Sequence, residues 1–176
     1  MKVFNTGIIV GRFQHIHNGH EKIINIGRSL CETLLIFVGS AGEKTSSRNP
    51  YDYEYRKKLI EMIYKEDIKK GNVIIKPLKD LENKDDLSPK WGEYVLNKAT
   101  QVLGKRPECI IYGKDKDIFK CFDKNTSFCI TNMTIYFINR RNRHFPLYTP
   151  CTAKTDAVHH LFSHQATPQP LSCNSL

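Results

Sequence analysis

The chain has 176 residues, enough for one domain with a real core and a short appendage. Its 40% hydrophobic and 26% charged content is that of a soluble globular protein, and no apolar run reaches membrane-spanning length, so a membrane protein is excluded from the reading. The net charge of +9 favours an anionic ligand, and with no interleaving of basic and aromatic residues a small polyphosphate is favoured over nucleic acid. The six cysteines, Cys31, Cys109, Cys121, Cys129, Cys151 and Cys173, form no CxxC pair. Cys31 and Cys109 lie beside apolar runs as small core residues. The first residues are too few and too polar for a signal peptide, so a reduced, cytoplasmic protein is expected.

The first predicted element is a buried strand, Thr6-Gly7-Ile8-Ile9-Val10. After it comes Gly11-Arg12-Phe13-Gln14-His15-Ile16-His17-Asn18-Gly19-His20. A helix follows from Glu21, with Ile23, Ile24, Ile26 and Leu30 near one face and Gly27 weakening it. A strand-to-helix junction offers unpaired backbone N–H groups and a favourable dipole to an anion. Gly11 and Gly19 admit a phosphate close to the backbone, while Arg12, His17 and His20 supply side-chain donors.

Residues 33–38 form a second buried strand ending at Gly39, and residues 40–50 read as a polar loop. Asp52 caps the next helix, in which Leu59, Ile60, Met62 and Ile63 form the apolar side and Arg56, Lys57, Lys58 and Glu61 face mostly outward. Val73-Ile74-Ile75 is a third strand, followed by a charged, irregular stretch over residues 79–89. A helix over residues 91–102 is stopped by Gly104, a fourth strand covers 109–112, and a fifth covers 134–138. Short apolar strands alternating with helices predict an α/β fold, a Rossmann-like, doubly wound parallel five-stranded sheet with helices on both faces. Ligands bind such sheets at the carboxyl ends of the strands, where the loops 11–20, 39–50, 79–89 and 113–117 all open.

Composition changes after Ile138, from a basic cluster of Arg140, Arg141, Arg143 and His144 to a Pro-, Thr-, Ser- and His-rich stretch. The expected organisation is therefore a Rossmann-like domain over residues 1–138 and an atypical tail over 139–176, basic and then Pro-, Ser- and His-rich, partly disordered. His160 and His164 share a helical spacing, but too few further ligands accompany them for a metal site.

Gly11-Arg12-Phe13-Gln14 with His17-Asn18-Gly19-His20 resembles the signature of the HxGH nucleotidylyltransferase superfamily. The closer resemblance is to nicotinamide-mononucleotide adenylyltransferases of the archaeal and bacterial type. Gly39-Ser40-Ala41 with Ser47-Arg48-Asn49-Pro50, and Asp80-Leu81-Glu82-Asn83 before Trp91, are similar to that family's second and third loops. The likeness extends over about residues 6–138. It implies attack of a mononucleotide 5′-phosphate on the α-phosphorus of ATP, forming a dinucleotide, NAD, and releasing pyrophosphate.

By the same resemblance, His17, His20 and Arg12 are the catalytic set. Gly11, Phe13, Gly19 and Lys114 join them in holding the ATP phosphates, and Arg48, Asn49, Asp80 and Trp91 hold the mononucleotide, Trp91 by stacking on the nicotinamide. Mg²⁺ enters with ATP and no protein metal cage is implied. The implied partners are ATP and a mononucleotide, with no membrane; a homo-oligomer is left open.

The chain departs from the family pattern at His15-Ile16, where relatives carry proline and an aromatic. It departs again at Cys151-Thr152-Ala153-Lys154-Thr155-Asp156-Ala157, which lacks the arginine of the relatives' last phosphate-binding turn. Other adenylyl- or cytidylyltransferases, and a catalytically weakened nucleotide-binding protein, therefore stay open as alternatives. An RNA-binding module using residues 140–143 ranks last.

Overall fold

Apolar runs separated by polar turns place the strands in the middle of the molecule with helices on either side. The computed structural model describes residues 2–42, 45–81, 88–113 and 121–122, and as backbone residues 127–132 and 134–138. In chain order these form β1 (Phe4–Gly11), α1 (Asn18–Leu30), β2 (Cys31–Val38), α2 (Tyr53–Lys69), β3 (Val73–Pro77), α3 (Pro89–Leu103), β4 (Cys109–Tyr112), β5 (Ser127–Asn132) and β6 (Thr134–Ile138). Residues 139–176, with the 151–157 segment among them, and Lys114 lie outside the described residues.

The sheet order is β3-β2-β1-β4-β5-β6. Strands β3, β2, β1, β4 and β5 run parallel, and β6 runs antiparallel to β5. The five-stranded parallel sheet is thus present, but its fifth strand is Ser127–Asn132, which the sequence reading passed over. The segment read as fifth, Thr134–Ile138, is a sixth strand folded back as a hairpin. Asn132 at the end of β5 pairs with Thr134 at the start of β6, two positions on, so no parallel crossover fits between them.

Alternation along each strand sends side chains to opposite faces. Ile9, Leu34, Ile36, Val38 and Ile111 pack with Ile24, Ile26 and Leu30 of α1 and with Ile60 and Tyr64 of α2. Ile8, Leu35, Phe37 and Ile110 pack on the other side with Val95, Leu96 and Ala99 of α3. Burial on both faces is why the central strands read as unbroken apolar runs.

Gly27, which weakened the predicted helix, is where α1 sits down on the sheet: a Cβ there would stand 2.8 Å from a Leu34 methyl. The helix opens earlier than expected, at Asn18, with His17 as its N-cap. The Nδ1 of His17 accepts from the Gly19 N–H at 3.1 Å, a role that usually falls to Ser, Thr, Asp or Asn. Asp52 caps α2 as expected, accepting from the Tyr55 N–H at 2.8 Å.

The outward and inward faces of α2 are a correction. Arg56, Ile60 and Tyr64, four residues apart, face the sheet, and Arg56 is only 1% exposed. Met62 and Ile63, read as apolar-side residues, are 71% and 46% exposed. The buried stripe follows the four-residue spacing of Arg56, and the two apolar residues fall on the far side of the turn.

From β1 the chain winds outward through β2 to β3, then crosses through α3 to β4 on the other side of β1. The order reverses between β1 and β4, so the crevice lies at their carboxyl ends. The 11–17 turn leaves β1 at that point.

Candidate active site

The strand-to-helix turn after β1 places one motif histidine, His17, at the N-cap of α1 and the other, His20, in its first turn. Their rings stack at 3.9 Å between centroids, with 28° between planes. Because the Nδ1 of His17 accepts a hydrogen bond, its neutral form carries the proton on Nε2, a donor on an exposed ring. His20 is half-buried and lies 4.9 Å from the ring of Phe13. Phe13 is itself 2% exposed and its ring lies against Gly11, 2.9 Å from where a Cβ would stand.

Burial pushes the His20 pKa down, the neighbouring His17 pushes it further, and a hydrogen bond with the His15 backbone opposes them. At neutral pH the His20 ring is therefore uncharged, and an arriving phosphate would raise its proton affinity. The folded protein binds the His20 proton less tightly than the unfolded chain, so this residue makes stability rise with pH below the ordinary value of 6.5. Unfolding titrations from pH 7.5 to 5.5 are expected to show the wild type losing stability faster than His20→Gln; parallel curves would show that the ring is not destabilised by its surroundings.

Three further loops join this turn. The Gly39 N–H after β2 donates to the Gly11 carbonyl at 2.8 Å. Gln14 donates from Nε2 to Asn49 Oδ1 at 3.1 Å and accepts from the Tyr51 N–H at 3.0 Å. Asp80, after β3, accepts from the Ser40 N–H at 3.1 Å and from its hydroxyl at 2.7 Å. The carboxyl ends of β1, β2 and β3 thus open into one hydrogen-bonded set of loops.

Gly11, Phe13, His17, Gly19, His20, Asn49 and Asp80 are all part of this set, and Arg12 and Arg48 are exposed within its loops. Asn49 is 6% exposed, so its side chain serves the loop junction as well as any ligand. Trp91 stands in the first turn of α3, at the same sheet edge. Its indole meets Phe122 edge-on at 5.8 Å and packs on the α3-side core.

Arg56, Gln14 and Ser40 join the loops without having been singled out. Arg56 donates to the carbonyls of Arg12 at 2.5 Å, Gly39 at 2.8 Å and Ser40 at 3.2 Å, and from Nε to Asp52 at 3.0 Å. Burial lowers its pKa, while the carboxylates of Asp52 and Asp80 support the charge. One signal was available in the sequence: a cation near the start of a helix opposes the helix dipole and needs another partner. Phe13 and Ser40 each have φ 50°, a left-handed conformation that costs such residues about 1–2 kcal/mol.

A parallel sheet with its order reversed beside the start of a helix defines a Rossmann-like α/β protein. A family model described as cytidylyltransferase-like matches residues 8–162. The chain belongs to that family, and the expected kinship with the HxGH nucleotidylyltransferases is borne out. It is 29% identical over 92 residues to a nicotinamide-nucleotide adenylyltransferase of Thermococcus kodakarensis, covering 52% of this chain and 47% of that one. It is 36% identical over 90 residues to one of Methanococcus aeolicus, covering 50% and 48%. The chain spans about half the length of the curated relatives it matches.

Among solved structures it is similar to a bifunctional NMN adenylyltransferase/ADP ribose pyrophosphatase of Francisella tularensis, complexed with AMP and manganese. That match has a TM-score of 0.61 and 23% identity, and covers 76% of this chain and 38% of the other; it speaks for the fold. Among the described residues no helix is long and apolar enough to cross a membrane.

Proposed function

We propose that the protein transfers the adenylyl group of ATP to nicotinamide mononucleotide, forming NAD. An oxygen of the mononucleotide phosphate attacks the α-phosphorus in line, the bond to the β-phosphate oxygen breaks, and pyrophosphate leaves. The observation that carries the reading is the stacked His17–His20 pair at the α1 N-terminus, beside the point where strand order reverses. Such a reaction asks a protein for positioning and for donors where charge accumulates. His17 Nε2, His20, Arg12 and the N-terminal amides of α1 are suited to the ATP phosphates, with His20 nearest the α-phosphate.

Arg48, Asn49, Asp80 and Trp91 are assigned to the mononucleotide, and Lys114 to the ATP phosphates. Magnesium would arrive with ATP, offsetting phosphate charge, and so belongs to the substrate. Support for the nicotinamide acceptor comes from the names of the relatives above and from the loops around Asn49 and Asp80. The family's description favours one second reading, cytidylyl transfer. Incubation with Mg-ATP or Mg-CTP and a panel of phosphorylated acceptors separates them: NAD formation from ATP is expected, and turnover with CTP alone would sink the proposal.

The Trp91→Ala variant is expected to raise the KM for the mononucleotide about tenfold, the loss of one stacking contact of about 1–1.5 kcal/mol, and to leave the KM for ATP within about twofold. Equal change for both substrates would make Trp91 only a packing residue on Phe122.

A further inference from the structure

Arg56 is only 1% exposed, and its guanidinium lies between two loops, hydrogen-bonded to backbone carbonyls. Nη1 alone bridges the loops, bonding the Arg12 carbonyl after β1 and the Gly39 carbonyl after β2. Those two carbonyls belong to the peptide groups immediately before Phe13 and Ser40. Phe13 and Ser40 are also the non-glycine residues with positive φ among the described residues. Rotation about φ swings the preceding peptide group relative to the side chain, so a held carbonyl holds the left-handed conformation. The same nitrogen therefore clamps both strained positions.

Each position leads to a site side chain. The Phe13 ring is tilted against the His20 ring, 4.9 Å between centroids, and supplies part of its burial. Ser40 presents its N–H and hydroxyl to Asp80. The clamp also turns three carbonyl oxygens, those of Arg12, Gly39 and Ser40, toward a cation, where they do not oppose an incoming phosphate. A lysine has a single nitrogen, so it cannot make the Nη1 bridge and also the bonds from Nη2 to the Ser40 carbonyl and from Nε to the Asp52 carbonyl that fix the guanidinium plane.

We infer that Arg56 is a positioning residue, holding the loops after β1 and β2 and, through Phe13, the His20 ring in working geometry. The inference rests on the nucleotidyl-transfer reading for its effect on turnover, but not for its structural content.

The test compares wild type with Arg56→Lys, following the His20 imidazole by NMR titration without substrate and measuring kcat and KM with Mg-ATP and nicotinamide mononucleotide. In Arg56→Lys the His20 titration is expected to move up toward 6.5, with kcat falling at least tenfold and the KM for ATP within about threefold. A folded Arg56→Lys protein with an unmoved His20 titration overturns the inference, whatever its melting temperature. Should that variant not fold, the wild-type guanidinium decides: separate Nη1 and Nη2 resonances in slow exchange are expected, and one averaged signal at 25 °C contradicts the clamp. Both NMR readouts need no turnover, so a protein that forms no NAD would overturn the proposed reaction and still decide the role of Arg56.

Discussion

Replacing His20 by alanine is expected to lower kcat by about 10²–10³-fold, the range for losing one aligned donor at a charge-accumulating centre. ATP affinity should change by less than about threefold, because donors matched to the transition state affect turnover more than ground-state binding. The geometry argues for this split. The His20 ring is stacked on His17 and in tilted contact with Phe13, and it is uncharged before substrate binds. An uncharged ring contributes little long-range attraction to ATP, yet its N–H can strengthen as charge moves onto the α-phosphate oxygens. Calorimetry with ATP and steady-state kinetics on the same variant measure the two quantities. Equal loss of binding and turnover would reduce His20 to a ground-state contact.

The second large effect concerns Gly92 in α3. A Cβ there would stand 1.8 Å from the carbonyl oxygen of Cys121 and 2.5 Å from its carbon. Both atoms are backbone, so no side-chain rotation relieves the overlap. Alanine would gain about 1 kcal/mol of helix propensity over glycine, but overpacking against backbone costs about 1–3 kcal/mol or more and should win. Gly92→Ala is therefore expected to lose about 2 kcal/mol in a denaturant titration. The displaced 121–122 segment carries Phe122, on which Trp91 rests, so the variant should also raise the mononucleotide KM. A Gly92→Ala protein as stable as wild type would mean that 121–122 does not lie against α3.

Much of the architecture was legible because the physics of a doubly covered sheet is simple. Strands buried on both faces must be apolar throughout, and β1, β2 and β4 announce themselves that way. β5 did not: Ser127-Phe128-Cys129-Ile130-Thr131-Asn132 mixes polar and apolar residues and offers no continuous run. Asp52 and Gly104 marked helix ends by their own chemistry, the one as a cap and the other at φ 72°. His17 hid the true start of α1, since a histidine N-cap falls outside the usual set.

Charge misled the reading of α2. Arg56 was read with its charged neighbours, yet it is buried because carbonyls from two other loops converge on it. Those acceptors are 44 and 17 residues away in sequence, and spacing carries no trace of them. Met62 and Ile63 misled in the opposite sense, apolar yet exposed. Within the site, the motif indicated the histidines and glycines, while the junctions made by Gln14 and Ser40 depend on folded geometry.

The central claim is attack on the α-phosphorus, and one isotope experiment addresses it directly. ATP labelled with ³²P at the α-position, incubated with magnesium, nicotinamide mononucleotide and the full chain, should place the label in NAD and release unlabelled pyrophosphate. Label that stays in ATP, or passes only into ADP or AMP, would contradict the account.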